Sequence, residues 1–182
     1  MKVVSLKLEG AKIIEPAVYG DSRGFFSESY NEKMFHDNGV NFKFIQDNHS
    51  LSAEAGVIRG LHYQLSPKAQ TKLVRVTSGA IYDVIVDIRK DSHTFGEWVG
   101  VILSEHNKRQ LLVPKGFAHG FCTLVPNTQV LYKVDEYYSP EHDCGIIWND
   151  SDLKIDWPTS KVILSDKDQK HPLFNEINFN LV

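Results

Sequence analysis

Apolar and polar residues alternate with a period of two along most of the chain, and short turns interrupt the pattern. Successive side chains of a β-strand point to opposite faces, so this pattern predicts half-buried strands. At least eight strands at short, even spacing are typical of an all-β jelly roll or barrel. The predicted strands cover residues 12–19, 24–30, 42–51, 57–64, 71–77, 80–89, 98–104, 109–113, 117–124 and 129–138.

One helix interrupts the strands. Residues 31–38 have Asn31 in position to cap the N-terminus, Met34 and Phe35 facing inward, and Gly39 at the C-terminal cap. The tail after residue 148 is less regular. We expect it to wrap the barrel with one short helical turn near residues 165–170. With no internal repeat or linker, residues 1–182 are predicted to form a single domain.

Composition excludes several classes of protein. Hydrophobic residues make up 42% of the 182-residue chain and charged residues 24%, which allows a proper core and argues against disorder. A formal net charge of -3 gives no broad basic surface for nucleic acid. Neither a signal peptide nor a membrane span is predicted. Cys122 and Cys144 lack a CxxC spacing, which predicts reduced thiols in a cytoplasmic protein.

Candidate chemistry is concentrated where two predicted strands follow each other. The turn Ser66-Pro67-Lys68 between strands 57–64 and 71–77 predicts an antiparallel pair. His62 and Lys72 would then face one cavity from adjacent strands. A neutral imidazole is a suitable base near neutral pH, and an ammonium can stabilise a developing oxyanion. The pair therefore suits removal of a proton next to a carbonyl.

A second segment, Pro114-Lys-Gly-Phe-Ala-His-Gly-Phe, presents His119 between phenylalanines at a predicted barrel mouth. Its Pro-x-Gly-x-x-His spacing resembles the second signature of the cupin superfamily. The first signature would fall near residues 60–64, where metal-binding cupins carry His-x-His and a following glutamate. Gln64 stands at the second histidine position here. His62 and His119 alone leave a metal short of ligands, so no metal site is predicted.

The whole chain resembles the dTDP-4-dehydrorhamnose 3,5-epimerase family, metal-free cupins that act in dTDP-L-rhamnose biosynthesis. The resemblance implies a cupin jelly-roll barrel with a few short helices. It also implies a cofactor-independent isomerase that converts dTDP-4-dehydro-6-deoxy-D-glucose to dTDP-4-dehydro-L-rhamnose. The blocks that carry it, in order, are GDSRGFFSE from Gly20, QDNHS from Gln46, RGLHYQ from Arg59, KLVRV from Lys72, DVIVDIR from Asp83, PKGFAHGF from Pro114, YK at Tyr132, WND from Trp148 and LSDKD from Leu164.

Four catalytic roles follow from the resemblance. His62 would take the protons from C3 and C5, and Lys72 would stabilise the enolate oxygen at C4. Tyr132 would return protons on the opposite face. Asp168 would orient His62, with Asp166 as a local alternative for that carboxylate.

The resemblance also implies contacts to the nucleotide and sugar. Arginine forks suit the pyrophosphate, and aromatic faces suit the thymine. Asp143 aligns where the family usually has a glutamate. The family also forms homodimers in which an N-terminal segment lends residues to the partner's site. The implied substrate contacts are Arg23 and Arg59 to phosphate, Glu28, Gln46 and Asn48 near the base, Phe26 and Tyr138 against the base, His119 and Lys167 along the sugar and phosphates, and Asp143.

Other interpretations remain open from the residues alone. Taken singly, each histidine is more often a hydrogen-bonded structural residue, and each surface arginine a solvated charge. A related enzyme could epimerise only C3 or C5 or isomerise a keto group, and a cupin could bind a ligand without turnover. One tension concerns Arg59 and His62, whose odd spacing sends them to opposite faces of a regular strand unless Gly60 introduces a bulge.

Overall fold

The computed structural model describes residues 1–179, in which two antiparallel sheets face each other. Their inner faces carry the alternating apolar residues that the sequence pattern predicts, which confirms the all-β class. The strands are β1 Lys2–Ser5, β2 Lys12–Glu15, β3 Tyr19–Asp21, β4 Gly24–Phe26, β5 Gln46–Ser52, β6 Ile58–Gln64, β7 Lys72–Ser78, β8 Ala80–Asp87, β9 Trp98–Ser104, β10 Gln110–Val113, β11 Phe117–Thr123, β12 Thr128–Val134 and β13 Asp143–Gly145.

The six-stranded sheet has the order β1-β2-β10-β7-β12-β5, and the five-stranded sheet has the order β13-β6-β11-β8-β9. Strands β3 and β4 form a separate hairpin. Neighbours along the chain therefore often belong to opposite sheets, as jelly rolls require. The cavity between the sheets receives side chains from both.

The core has three layers. Between the sheets lie residues such as Val74, Ile85 and Leu111, all fully buried. The outer face of the five-stranded sheet is covered by the C-terminal tail, which brings Trp157 and Phe179 onto strands β6, β8 and β11. This covering confirms that the tail wraps the barrel, and it explains why β8 reads as a nearly continuous apolar run.

The outer face of the six-stranded sheet is covered by the predicted helix, α1 Glu32–Asp37. The Asn31 side chain caps it by accepting a hydrogen bond from the backbone N–H of Met34 at 3.1 Å. Phe35 is buried, whereas Met34 is only half-buried. Gly39 follows the helix with φ +75°, a left-handed conformation that favours glycine.

The predicted pairing of β6 with β7 is wrong. Strand β6 pairs with β11 and β13, whereas β7 pairs with β10 and β12 in the facing sheet. The segment between them makes a turn, in which the N–H of Lys68 donates to the carbonyl of Leu65. The chain then crosses from one sheet to the other, a distance of about 10 Å that seven residues span with ease.

The short strands β1, β3 and β13 were missed in the sequence analysis, whereas β2, β4 and β10 are equally short but lie within longer predicted strands. Two short 3-10 helices lie in the tail, Asp168–Lys170 and Phe174–Glu176, and the first coincides with the helical turn predicted near residues 165–170. No helix within residues 1–179 is long and apolar enough to cross a membrane.

Candidate active site

A cavity of about 420 Å³ opens between the two sheets. That volume lies within the range typical of small-molecule sites. Three cations contribute to its wall, Arg59, Lys72 and Lys167, so the cavity favours an anionic ligand. Its full lining is Ser50, Val57, Ile58, Arg59, His62, Lys72, His119, Phe121, Tyr132, Ile163, Leu164, Ser165, Lys167 and Asp168.

His62 and Asp168 form a hydrogen-bonded pair in this wall. The His62 Nε2 atom lies 2.5 Å from Asp168 Oδ1, and the Ser165 hydroxyl donates to Asp168 Oδ2 at 2.8 Å. Asp168 is buried, while a third of the His62 side chain is exposed to the cavity. Nε2–H donates to the carboxylate, so Nδ1 keeps a lone pair and can accept a proton.

Burial dominates the electrostatics of this pair. Burial lowers the pKa of His62 below its ordinary value, and the hydrogen bond and charge of Asp168 oppose the change only in part. His62 is therefore neutral at pH 7. Burial alone would raise the pKa of Asp168, but the imidazoles of His171 and His62 and the Ser165 hydroxyl hold it well below its usual range. The carboxylate therefore stays ionised beside the His62 imidazole.

Arg59 and His62 both line the cavity despite their odd spacing. The register between β6 and β11 shifts here: His62 opposes His119 and Arg59 opposes Phe121, so three steps on β6 match two on β11. Gly60 has φ +116°, and a Cβ there would lie 2.6 Å from Gly120 Cα. The irregularity that the sequence required at Gly60 is confirmed, and only glycine fits it.

Lys72 faces His62 from the opposite sheet. Its Nζ donates to the His62 backbone carbonyl at 3.3 Å, and the side chain is buried. Burial lowers the pKa of Lys72 to about 8, against the opposing charges of Asp143 and Asp83. The ammonium is thus charged at pH 7 but poorly solvated, which strengthens its interaction with any anion in the cavity.

Tyr132 lies beside Lys72 on the same sheet. It belongs to β12, where it pairs with Val74, two residues after Lys72 on β7. Burial raises the pKa of the Tyr132 phenol, and the charge of Arg59 opposes that rise. The phenol therefore holds its proton, on the wall opposite His62.

His119 is part of a second buried histidine–aspartate pair. Its Nε2 lies 2.6 Å from Oδ1 of Asp83, and both side chains are buried. The other carboxylate oxygen of Asp83 has no hydrogen-bond partner within the described residues. His119 also lines the cavity, as predicted, next to His62 on the neighbouring strand. From the sequence, Asp83 is named only as the first residue of the block DVIVDIR, and no role is predicted for it.

A small cluster at the cavity mouth contains three further predicted residues. Lys167 Nζ lies 2.5 Å from Asp143 Oδ2, and the Tyr138 hydroxyl donates to the same oxygen at 2.7 Å. Burial favours protonation of Asp143, but the hydrogen bonds from Lys167 and Tyr138 outweigh it and lower its pKa. Tyr138 lies beyond the end of β12 and is largely exposed, which leaves its ring free to stack on a ligand.

Gln46 and Asn48 lie on β5 on the same face as Ser50, which lines the cavity. Gln46 Nε2 donates to Asn48 Oδ1 at 2.9 Å. Neither side chain lines the cavity itself. They extend its polar wall beyond Tyr132, whose strand pairs with β5 at Asn48.

The structure does not bring Arg23, Phe26 and Glu28 to this cavity. Arg23 and Phe26 lie on the β3–β4 hairpin, beside a separate surface depression. Arg23 pairs with Asp21, and its side chain is 87% exposed. Glu28 is exposed and contacts Asn31. Within one chain, these three predicted substrate contacts are remote from His62.

The residues around His62 could also supply metal ligands. One ligand atom each from His62, Asp168 and His171 lies within 4.8 Å of the others. The ligand count made from the sequence missed Asp168 and His171. However, the 2.5 Å between His62 Nε2 and Asp168 Oδ1 is a hydrogen-bond distance. Two ligands of a tetrahedral ion would lie roughly 3.4 Å apart, given bonds of about 2.1 Å.

Residues 5–176 match the sequence profile of a family described as dTDP-4-dehydrorhamnose 3,5-epimerase. The enzyme of that name from Escherichia coli K12 is 54% identical over 172 residues, which cover 93% of this chain and 92% of the relative. This chain belongs to the dTDP-4-dehydrorhamnose 3,5-epimerase family. The predicted family and its isomerase class are therefore confirmed.

Solved structures of the family agree with the fold. The enzyme from Bacillus anthracis, solved with TDP and PPi bound, is 64% identical, with a TM-score of 0.93 over 95% of this chain and 99% of that one. The Legionella pneumophila epimerase, in complex with dTDP-4-keto-L-rhamnose, is 49% identical, with a TM-score of 0.95 over 100% of this chain and 96% of that one. The predicted cupin-type jelly roll is confirmed.

Proposed function

We propose that this chain converts dTDP-4-dehydro-6-deoxy-D-glucose to dTDP-4-dehydro-L-rhamnose by epimerisation at C3 and C5. The observation that carries the proposal is the arrangement of the cavity: a neutral imidazole backed by a carboxylate on one sheet faces a buried ammonium and a phenol on the other. The reaction needs a base, an oxyanion stabiliser and an acid, and each has a candidate here.

His62 serves as the base. The lone pair of Nδ1 takes the proton from C3 or C5, both of which flank the C4 carbonyl. Removal of either proton sends the C–H electron pair toward the C4 oxygen, forming an enolate. As His62 becomes a cation, the ionised Asp168 stabilises it, because the two groups already share a hydrogen bond.

Lys72 stabilises the enolate. A ketone is a weak carbon acid, so the negative oxygen must meet positive charge that is already in place. The Lys72 ammonium is buried, and a backbone carbonyl of β6 holds it close to the base. Because both epimerised carbons share one carbonyl, a single cation can serve both steps.

Tyr132 returns the proton on the other face. Inversion requires that the new C–H bond forms on the side away from the base. Tyr132 and His62 project into one cavity from opposing sheets, which fits this requirement. The phenol gives its proton to carbon and leaves as phenolate, and the nearby charge of Arg59 favours that anion. Solvent exchange then carries the proton from His62 back to Tyr132.

The nucleotide part of the substrate is anionic, and Arg59 and Lys167 lie where they could bind its pyrophosphate. His119 would contact the sugar and phosphate region. Tyr138 would stack on the thymine at the mouth, near Asp143, while Gln46 and Asn48 supply polar groups along the wall. With these assignments, the cationic cavity binds a ligand of opposite charge.

We propose that the chain, as one domain of residues 1–182, acts as a homodimer whose hairpin completes the partner's site. The support is the surface of that hairpin, where Tyr19, Phe25 and Phe26 are each at least 60% exposed. Aromatic rings beside an arginine are typical of a surface that a ligand or partner covers. Arg23 and Glu28 would then reach the nucleotide in the second chain.

Mixed dimers test the shared site. A His62→Asn chain and an Arg23→Ala chain are each expected to be poorly active alone. In an equal mixture, half of the dimers would be mixed and would hold one intact site of two, so about a quarter of wild-type activity would return. No recovery after verified subunit exchange would show that the site is complete within one chain.

The proposed reaction is tested by solvent exchange. In deuterated water, the enzyme should convert dTDP-4-dehydro-6-deoxy-D-glucose to product carrying deuterium at both C3 and C5, read by NMR. Deuterium at only one carbon would identify a single-site epimerase, and none would identify a binding protein. Prior treatment with chelator should leave the rate unchanged, whereas a metal-dependent enzyme would lose activity.

We place this reaction in the cytoplasm. Both cysteines, Cys122 and Cys144, are free, as expected of a protein in a reducing compartment.

A further inference from the structure

A second imidazole lies behind the proposed base. His171 follows the 3-10 helix Asp168–Lys170, and its Nε2 lies 3.5 Å from Asp168 Oδ1, the oxygen that His62 also contacts. The rings of His171 and His62 pack edge to face, with centroids 5.4 Å apart and an interplanar angle of 74°. The two imidazoles therefore share one carboxylate oxygen and touch each other.

The fold builds a specific space for this ring. Gly145 on β13 pairs with His62, and a Cβ at Gly145 would lie 2.5 Å from the His171 ring. The backbone directly after His171 is held in place, because the Pro172 carbonyl accepts a hydrogen bond from Ile147 N–H at 3.0 Å. The His171 imidazole thus fills the volume that Gly145 leaves open, next to strand β6.

The polar edge of this ring faces the dyad. His171 Nε2 is buried and has no hydrogen-bond partner within the described residues. A buried N–H rarely stays unpaired, and an apolar side chain would fill the same volume without that cost. Asp168 Oδ1 is only a few tenths of an ångström beyond a good N–H···O distance, and a carboxylate oxygen has two lone pairs.

We propose that His171 is a positioning residue, whose imidazole donates Nε2–H to Asp168 and holds that carboxylate in line with His62. The inference rests on the proposed function of His62 as base. Ser165 fixes one carboxylate oxygen, and the two imidazoles fix the other, so the group cannot rotate away when His62 becomes charged.

The second donor also adjusts the strength of the base. A carboxylate that already accepts a bond from His171 attracts the proton on His62 less strongly, which keeps His62 neutral and able to accept a proton. The charged or titratable groups acting on His62 and Asp168 include Lys72, His171, Asp143 and Lys167. Loss of the His171 donor should therefore make His62 easier to protonate.

Three variants test this role. His171→Phe keeps a ring but removes the donor, His171→Gln restores an N–H donor, and His93→Phe is the control at an exposed histidine. We expect His171→Phe to lower kcat about 10- to 100-fold with little change in KM, as loss of an orienting partner does elsewhere. The acid limb of its kcat/KM profile should move to higher pH. His171→Gln should recover most of kcat.

Other results would overturn the proposal. If His171→Phe matched His93→Phe in kcat and pH profile, His171 would have no role in positioning. If kcat fell without a shift of the acid limb and without recovery in His171→Gln, the ring would act by packing alone. Titration of the His62 ring by NMR gives the same answer without turnover, so failure of the proposed reaction in the wild-type protein remains distinguishable from failure of this inference.

Discussion

His62 Nε2 lies 2.5 Å from Asp168 Oδ1, although 106 residues separate them in the chain. The tail that covers the five-stranded sheet carries Asp168 back to strand β6, which holds His62. Asp168→Asn should lower kcat about 10²- to 10⁴-fold, because the amide cannot stabilise the imidazolium. Asp166→Asn, at the exposed carboxylate two residues away, should stay near wild type in the same steady-state assay. Equal losses in both variants would contradict the assignment.

The activity should depend on pH with two limbs. Below the lowered pKa of His62, the base is protonated, so kcat/KM falls as pH drops through a value under the ordinary 6.5. Above about 8, Lys72 loses its proton and the enolate loses its cation, so kcat/KM falls again. In Lys72→Arg, whose side chain stays charged, the basic limb near pH 8 should disappear from the profile. A basic limb that persists there would assign it to another group.

The buried Lys72 ammonium should destabilise the folded protein. Its folded pKa of about 8 is below the unfolded value, so the charged form is disfavoured in the folded state at all pH values below 8. Lys72→Met should abolish activity yet raise stability at pH 7 by about 3 kcal/mol, which is roughly 6 to 12 °C in Tm. The gain should shrink between pH 8 and 10.5.

Lys133→Met provides the control for this stability measurement. Lys133 is on β12 and pairs with Asp47 at the surface, so its loss should change the free energy of unfolding by less than about 1 kcal/mol. A Lys72→Met protein less stable than wild type in calorimetry would contradict the account of a buried, poorly solvated ammonium.

Gly60 should not tolerate a side chain. In Gly60→Ala, the new methyl would meet Gly120 Cα and the His119 carbonyl at 2.6 Å, both backbone atoms that cannot move aside. We expect a loss of about 3 kcal/mol or more in chemical unfolding. Gly24→Ala is the matched control, since Gly24 also has a positive φ but has no atom within 4 Å of the added carbon. It should cost about 1 kcal/mol. Similar losses in both would attribute the effect to φ alone.

Structural features that follow from a local rule were predicted correctly from the sequence. Strand β9 has the predicted bounds, and α1 begins at the predicted Asn31 cap. Lys72 alternates with inward valines on β7, so its position in the barrel follows from the period of two. The odd spacing of Arg59 and His62 was enough to place an irregularity at Gly60, which the register confirms.

Local rules could not predict contacts between residues that are far apart in the sequence. No spacing rule joins His62 to Asp168, and that contact came from the family resemblance. The partner of β6 was misassigned because a turn signal does not distinguish a hairpin from a crossing between sheets. His171 and Asp83 were missed as site residues, since a single histidine after a helical turn and a single aspartate in an apolar strand carry no local signal. Their roles depend on neighbours that only the folded chain provides.

Exchange of solvent deuterium by two variants separates the proposed roles of His62 and Tyr132. We expect that His62→Asn incorporates no deuterium at C3 or C5. We expect that Tyr132→Phe, which retains the base, still exchanges the substrate's protons without inversion, because His62 returns deuterium to the face it came from. Exchange at the wild-type rate in folded His62→Asn protein would contradict the account, as would loss of all exchange in Tyr132→Phe.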